Sequence, residues 1–175
     1  MPGSPAHLVA RFFDVAFARA LTGSERAAVA AWLDPEQAAV FFSQSDADQR
    51  HGYEAALHLI ADGVDSVEIL QAGLLHDIGK RHASLGIIGR TIASILIILR
   101  MPLPERMRMY RDHGQLAARE LGALGAPSLV IDFAMHHHGD RPPTIDPRTW
   151  AFLVAADEPP KPRWALRGRI TSNDT

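Results

Sequence analysis

The chain has 175 residues, 47% of them apolar and 22% charged, with a formal net charge of −2 at pH 7. That balance describes one folded domain with a single sizeable core; it excludes a disordered chain and offers no basic footprint for nucleic acid. Cysteine is absent, which rules out disulfides, thiolate zinc sites and iron–sulfur clusters, and the nine histidines become the feature to explain.

Residues 5–21 read as an amphipathic helix with Leu8, Phe12, Val15 and Ala16 on one side. Its start, Met1-Pro2-Gly3-Ser4-Pro5, lacks the basic and apolar regions of a signal peptide. Thr22-Gly23-Ser24 ends that helix and caps a short one reaching Trp32-Leu33. Asp34-Pro35 opens the next, with proline in the first turn, and it runs through Phe42. A polar link, Ser43 to Asp48, leads into a long helix that is apolar on two faces. Tyr53, Ala56, Leu57 and Ile60 form one face, and His51, Ala55 and Leu59 the other.

Asp62-Gly63 is a break, after which Ser66 caps a helix ending in Leu74-Leu75-His76-Asp77-Ile78-Gly79-Lys80. Leu70, Gly73, Leu74 and Asp77 follow helical spacing, so Asp77 falls on a core-facing stripe with no clear Arg or Lys beside it. His76 and Asp77 point about 100° apart on a helix, so they share one ion only at a helix end or with help from other helices. A turn at Lys80-Arg81-His82 precedes the apolar helix Ile87 to Arg100, whose first reading is a core helix and whose second is a subunit interface or pocket lid. Arg90 interrupts its apolar run, Ile87 to Leu99, which is too short to span a bilayer. The expectations are a cytoplasmic protein, no membrane partner, and a homodimer through residues 87–99 if that helix is an interface.

Met101-Pro102-Leu103-Pro104 is an extended link. One helix then runs from Glu105, with Met107, Tyr110, Gly114, Ala117, Leu121 and Leu124 on its face and His113 adjoining. Gly125 to Ser128 separates it from a helix ending in His136-His137-His138-Gly139, where periodicity does not choose between His137 and His138. Asp146-Pro147 opens the last helix, and its stripe of Trp150, Leu153 and Val154 is completed by Asp157. Pro159-Pro160-Lys161-Pro162 breaks structure before a tail that is basic and then polar. No alternating strand pattern occurs, so the fold class is all-α.

His51, His76 with Asp77, His113, His137 and Asp157 thus reach apolar faces of separate helices. A lone histidine there is an ordinary core residue; the set suits a metal site. Imidazole and carboxylate without thiolate point to iron, manganese, zinc, cobalt or nickel. Six ligands exceed the needs of a tetrahedral zinc site and suffice for two divalent ions with one aspartate between them. His58, His82 and His136 fall outside the set.

The order His51, His76-Asp77, His113, His137, Asp157 on consecutive helices resembles the HD-domain metal-dependent phosphohydrolase superfamily. The likeness runs from about Asp48 to Asp157, with His76-Asp77-Ile78-Gly79-Lys80 as its most specific part. The resemblance implies an HD-domain helical bundle over 46–158; residues 1–45, read as a helical extension packed on it, and residues 159–175, a Pro-rich break and tail, have no counterpart in that family. It implies that His51, His76, Asp77, His113, His137 and Asp157 hold two metal ions, with His138 as substitute or added ligand. The activity implied is hydrolysis of a phosphoester or phosphoanhydride of a nucleotide-like substrate by metal-activated hydroxide, with iron or manganese the favoured metals. Asp77 would bridge the ions, and Lys80 would reach a phosphate oxygen; Arg81, Arg90 and Arg141 are weaker phosphate candidates.

The segment His137-His138-Gly139-Asp140 departs from the Glu and Gly-Tyr-Pro loop of the HD-GYP cyclic di-GMP phosphodiesterases, and Gly79-Lys80 departs from the stringent-response hydrolases. The chain looks more like the HD-type dinucleoside tetraphosphate hydrolases near its end, and like the cyclic di-AMP phosphodiesterases at His76 to Lys80 and His137 to Gly139. Two other readings use similar residues: an HD-type diiron oxygenase and a non-catalytic sensor of nucleotide or metal.

Overall fold

The computed structural model describes residues 19–157, and among these every regular element is a helix. The helix expected over 5–21 lies outside the described residues except for Arg19 to Leu21, which are not helical. The tail likewise lies outside them.

α1 (Gly23–Trp32) begins where the Thr22 hydroxyl accepts from the Glu25 N–H and the Glu25 carboxylate accepts from the Thr22 N–H. Such a reciprocal cap satisfies two of the helix's orphan donors. α2 (Pro35–Phe42) uses Asp34 in the same way, with proline where its missing N–H is harmless. Both helices pack on the helix Val67–Leu75, and Val29, Phe41 and the cap residue Leu33 join the common core, so residues 21–42 share one interior with the helices that follow. Arg50 on α3 (Asp46–Ala61) holds this part down by pairing with Glu25 at 2.7 Å and donating to the carbonyls of Arg19 and Ala20.

α3 is the central helix, packed by α4 (Val67–Leu75) on one side and α10 (Pro147–Asp157) on the other. Of the two apolar faces read from the sequence, Ala55 and Leu59 of one and Tyr53 and Ala56 of the other are buried, while Leu57 and Ile60 are exposed, so the second face is covered only in part. α4 also packs on α9 (Ser128–His136), which packs on α8 (His113–Ala123). α3, α4, α8, α9 and α10 therefore bring five chain segments to one centre. Leu59, Leu74, Leu75, Phe133 and Leu153 are buried between them.

Two expectations are corrected. The helix expected from Glu105 through Leu124 is two helices, α7 (Glu105–Arg111) and α8, parted at Asp112 with φ −95° and ψ 18°. The break lets His113 start a helix of its own, and aspartate is a weak helix-interior residue because it competes for backbone groups. The helix α6 (Ile87–Ile98) is not a core helix: Ala93 is its one buried residue, and Ile88, Ile92, Ile95 and Ile98 are exposed. It packs mainly on α7, which offers too little surface to cover an element apolar on every side. Among the described residues no single helix is long and apolar enough to cross a membrane. Val67–Ala83 and Ile87–Ile98 meet that description only together, and they are bent 95° apart.

Candidate metal centre

α4 stops at Leu75, so His76 and Asp77 stand in the turn between it and the one-turn helix α5 (Lys80–Ala83). That is the helix-end position at which neighbouring side chains can converge. Gly79 presses this turn onto the start of α8, because a Cβ there would overlap the carbonyl of His113. Gly114 does the same between α8 and α9: its Cβ would lie 2.6 Å from the Ala134 carbonyl oxygen. Each of these glycines sits within two residues of a ligand candidate, and each sets the spacing at which that ligand meets the others.

The predicted residues form two groups that share Asp77. One is His51, His76, Asp77 and Asp157; the other is Asp77, His113, His137 and His138. In each, four ligand atoms lie within 4.8 Å of one another. The groups can hold a metal ion. His137 and His138 both offer a nitrogen to the same group, so both stand as candidates. His137 is buried and His138 exposed, with ring centroids 4.0 Å apart.

Three histidines are oriented by their own backbone. His76 Nδ1 donates to the Gly73 carbonyl at 2.9 Å, His113 Nδ1 to Tyr110 at 2.7 Å, and His137 Nδ1 to Ala134 at 2.9 Å. A carbonyl only accepts, so the proton of each neutral ring is fixed on Nδ1 and Nε2 presents a lone pair to the centre. There His113 Nε2 lies 3.3 Å from His137 Nε2 and 3.1 Å from Asp77 Oδ1. Asp77 Oδ1 is itself buried without a hydrogen-bond partner. In the other group Asp157 Oδ1 lies 3.0 Å from both His51 Nε2 and His76 Nε2. Converging lone pairs and carboxylate oxygens are what a cation satisfies, so the residues present fit a metal.

Electrostatics agree. Burial alone would raise the pKa of Asp77, but the Lys80 ammonium, and then the imidazoles around it, hold it well below the usual carboxylate range. Asp157 is held low against its burial by His76 and His51. Burial alone would keep His76 neutral, yet the charges of Asp77 and Asp157 push its pKa up to about 9. One proton on His76 answers one set of close approaches and leaves His113, His137 and Asp77 Oδ1 still facing each other. Although His138 reaches solvent, its ring packs against those of His137 and His113, and desolvation there, then the two neighbouring imidazoles, bring it down to about 3.

Lys80 corrects the reading that no lysine or arginine accompanies the aspartates. It is buried and pairs directly with Asp77 rather than standing at an open edge. Behind it lies a pair that sequence reasoning missed. Asp48 is buried on α3, accepts two hydrogen bonds from Arg90 at 2.6 and 2.7 Å, and is held low in pKa against its burial by Arg90 and Lys80. Asp48 had been counted with a polar link; the only signal available was its place in the first turn of a helix that later carries His51. Arg81 and His82 both pair with Glu120, and Arg141 donates to the carbonyls of Pro142 and Ile145. These three are engaged with the fold, as is Arg90. His58 and His136 belong to neither group.

The centre has a buried floor of His76, Asp77, Lys80, His113 and His137, and a rim of His51, His138 and Asp157 that reaches solvent. Comparison with protein-family models, with curated proteins and with solved structures found no match to this chain.

Proposed function

We propose that the chain is a metal-dependent phosphohydrolase of the HD-domain type, acting on a phosphoester or phosphoanhydride of a nucleotide-like substrate. The observation that carries this reading is the pair of ligand groups sharing Asp77. A shared carboxylate between two four-ligand groups suits two divalent ions, iron or manganese before zinc, cobalt or nickel. Divalent metal supplies Lewis acidity there, which acidifies water near neutral pH and takes up charge on phosphoryl oxygens.

The protein's own contributions follow from the geometry. His76, His113 and His137 are locked by backbone hydrogen bonds, so they need no reorientation when metal arrives. Asp77 is held ionised by Lys80 and therefore stays a ligand at any ordinary pH. Lys80 in turn places a fixed positive charge beside the ligand shared by both groups, in surroundings where water is excluded and charge counts for more. The exposed rim of His51, His138 and Asp157 is the side from which a phosphate would enter.

The test is metal analysis of the purified protein, followed by a screen of dinucleoside polyphosphates, cyclic dinucleotides and mononucleotides with manganese and iron. Cleavage of any of these substrates that depends on metal supports the reading, and Lys80→Met then lowers turnover about 100-fold while metal stays bound. Absence of bound transition metal together with inactivity across the panel overturns it. Oxygen uptake by the iron-loaded protein without phosphate release would assign the same ligands to oxygenase chemistry instead.

A further inference from the structure

Among the described residues, α6 meets the rest of the protein with one side. Ala93 is buried and Arg90 turns inward to Asp48, so neither belongs to the outer face. That face carries Ile88, Ile92, Ile95 and Leu99 at i, i+4, i+7 and i+11, with Ile98 and Met101 beside them. Ile88 is 72% and Leu99 63% exposed. Four large apolar side chains on one strip, with Ile98 flanking it and Met101 exposed just past the helix end, exceed the scattered exposure normal for a surface.

The charge around the strip is mainly positive, with the exposed Asp46 near Ile87 as an exception. No Asp or Glu occurs between Asp77 and Glu105. Arg100 stands at the end of the strip, and Arg106, Arg108 and Arg111 are exposed on α7, the helix against which α6 packs; Arg106 also donates to the carbonyls of Ala83 and Ser84, and Arg108 to that of Leu103. Only Glu105 and Asp112 oppose these four arginines locally, and Asp112 is already paired with Arg111. At 12 residues α6 is about 18 Å long, against about 30 Å for a bilayer core, so it can lie along a membrane but not cross one.

We propose that α6 and the arginines beside it seat this protein on an anionic lipid surface, with the isoleucine strip in the headgroup–acyl boundary and the arginines on phosphates. Such a helix needs an apolar face and flanking cations together, and both are present. A second copy of the chain is a poorer occupant. It would bring the same strip and the same surplus of arginine, with no carboxylate in residues 78–104 to receive it. The assignment revises the sequence expectation of no membrane partner and does not depend on the metal centre.

The experiment is flotation of the full-length protein with phosphatidylcholine vesicles, with and without phosphatidylglycerol. The expected result is cofloating with the anionic vesicles, much less with neutral ones, and release at high salt. Ile92→Glu with Ile95→Glu abolishes cofloating, and because both positions are exposed the melting transition stays in place. Arg100→Gln with Arg108→Gln weakens binding about 25-fold, roughly fivefold for each cation near an anionic surface. Failure to float with anionic vesicles, or equal floating with both kinds, overturns the proposal. So does a wild type that fails to float and is a dimer in solution, made monomeric by the two glutamates; that result gives the strip to a second copy.

Discussion

His113 Nε2 stands 3.3 Å from His137 Nε2 while the Nδ1 of each ring is bonded to a backbone carbonyl. Neutral rings so held turn lone pairs toward each other, and Asp77 Oδ1 adds a third acceptor. The packing of α8 on α9 at Gly114 holds them in place. The fold therefore stores a repulsion that a bound cation relieves.

Removal of metal should lower stability for that reason. A ligand that binds only the folded state at about 100 times its Kd contributes about 2.7 kcal/mol, which for a domain of this size moves Tm by about 5–10 °C. Calorimetry of chelator-treated protein before and after addition of manganese measures it. An unchanged Tm would mean that the cluster does not bind the ion.

The two groups make separate predictions about stoichiometry. His113→Ala removes a ligand from the group with His137 and His138, and His51→Ala removes one from the group with Asp157. Each should lower the metal content by one ion per chain. Asp77→Ala should reduce both, by more than the 10- to 100-fold in affinity typical of changes outside the ligand shell, roughly. Elemental analysis of the three variants reads this directly. Equal loss in all three would show a single ion site.

Much of this centre was legible because its ligands fall on core-facing stripes, where a His or Asp is out of place unless something binds it. The helix starts at Thr22, Asp34 and Asp146 were legible from their caps. Three features were not. Lys80 follows a glycine at a helix end, a pattern that ordinarily means a solvated lysine; only tertiary packing buries it on Asp77. Asp48 and Arg90 are 42 residues apart, and no local pattern links them. The helix α6 reads as interior because it is apolar all round, and sequence does not reveal that the neighbouring helices leave one side uncovered.

That Asp48–Arg90 pair lends itself to a double-mutant cycle. Both side chains are largely buried, 6% and 14% exposed, so truncating either leaves an uncompensated charge. Arg90→Ala or Asp48→Ala alone should destabilise the protein by about 3–5 kcal/mol. The double variant should lose less than the sum, since it strands neither partner. Urea denaturation of the four proteins tests this; additivity would show that the pair is not coupled.

Gly79 should tolerate no side chain. A methyl group there would overlap the His113 carbonyl and push α8 from the motif turn. Overpacking of this kind costs about 3 kcal/mol, which corresponds to a fall of about 6–12 °C in Tm. Because His113 opens α8, Gly79→Ala should also weaken metal binding in the group containing His137. A variant that melts as the wild type does would mean that α8 does not press on the motif turn.

The acid limb of the stability curve should report on Glu25. Its pKa is lowered from 4.5 to about 2, first by hydrogen bonds from Arg50 and then by the Thr22 N–H. A carboxyl group depressed in the folded state binds its proton more readily in the unfolded chain. Its contribution is therefore complete above pH 4.5 and is lost as pH falls toward about 2. Glu25→Gln removes that group, so the fall in Tm across this window should be shallower in the variant, while near neutral pH the variant melts somewhat lower than the wild type. Groups that titrate alike in both proteins cancel, so the difference between the two curves isolates Glu25. Parallel curves between pH 4.5 and 2 would show that the Arg50 pairing does not hold residues 19–25 on α3.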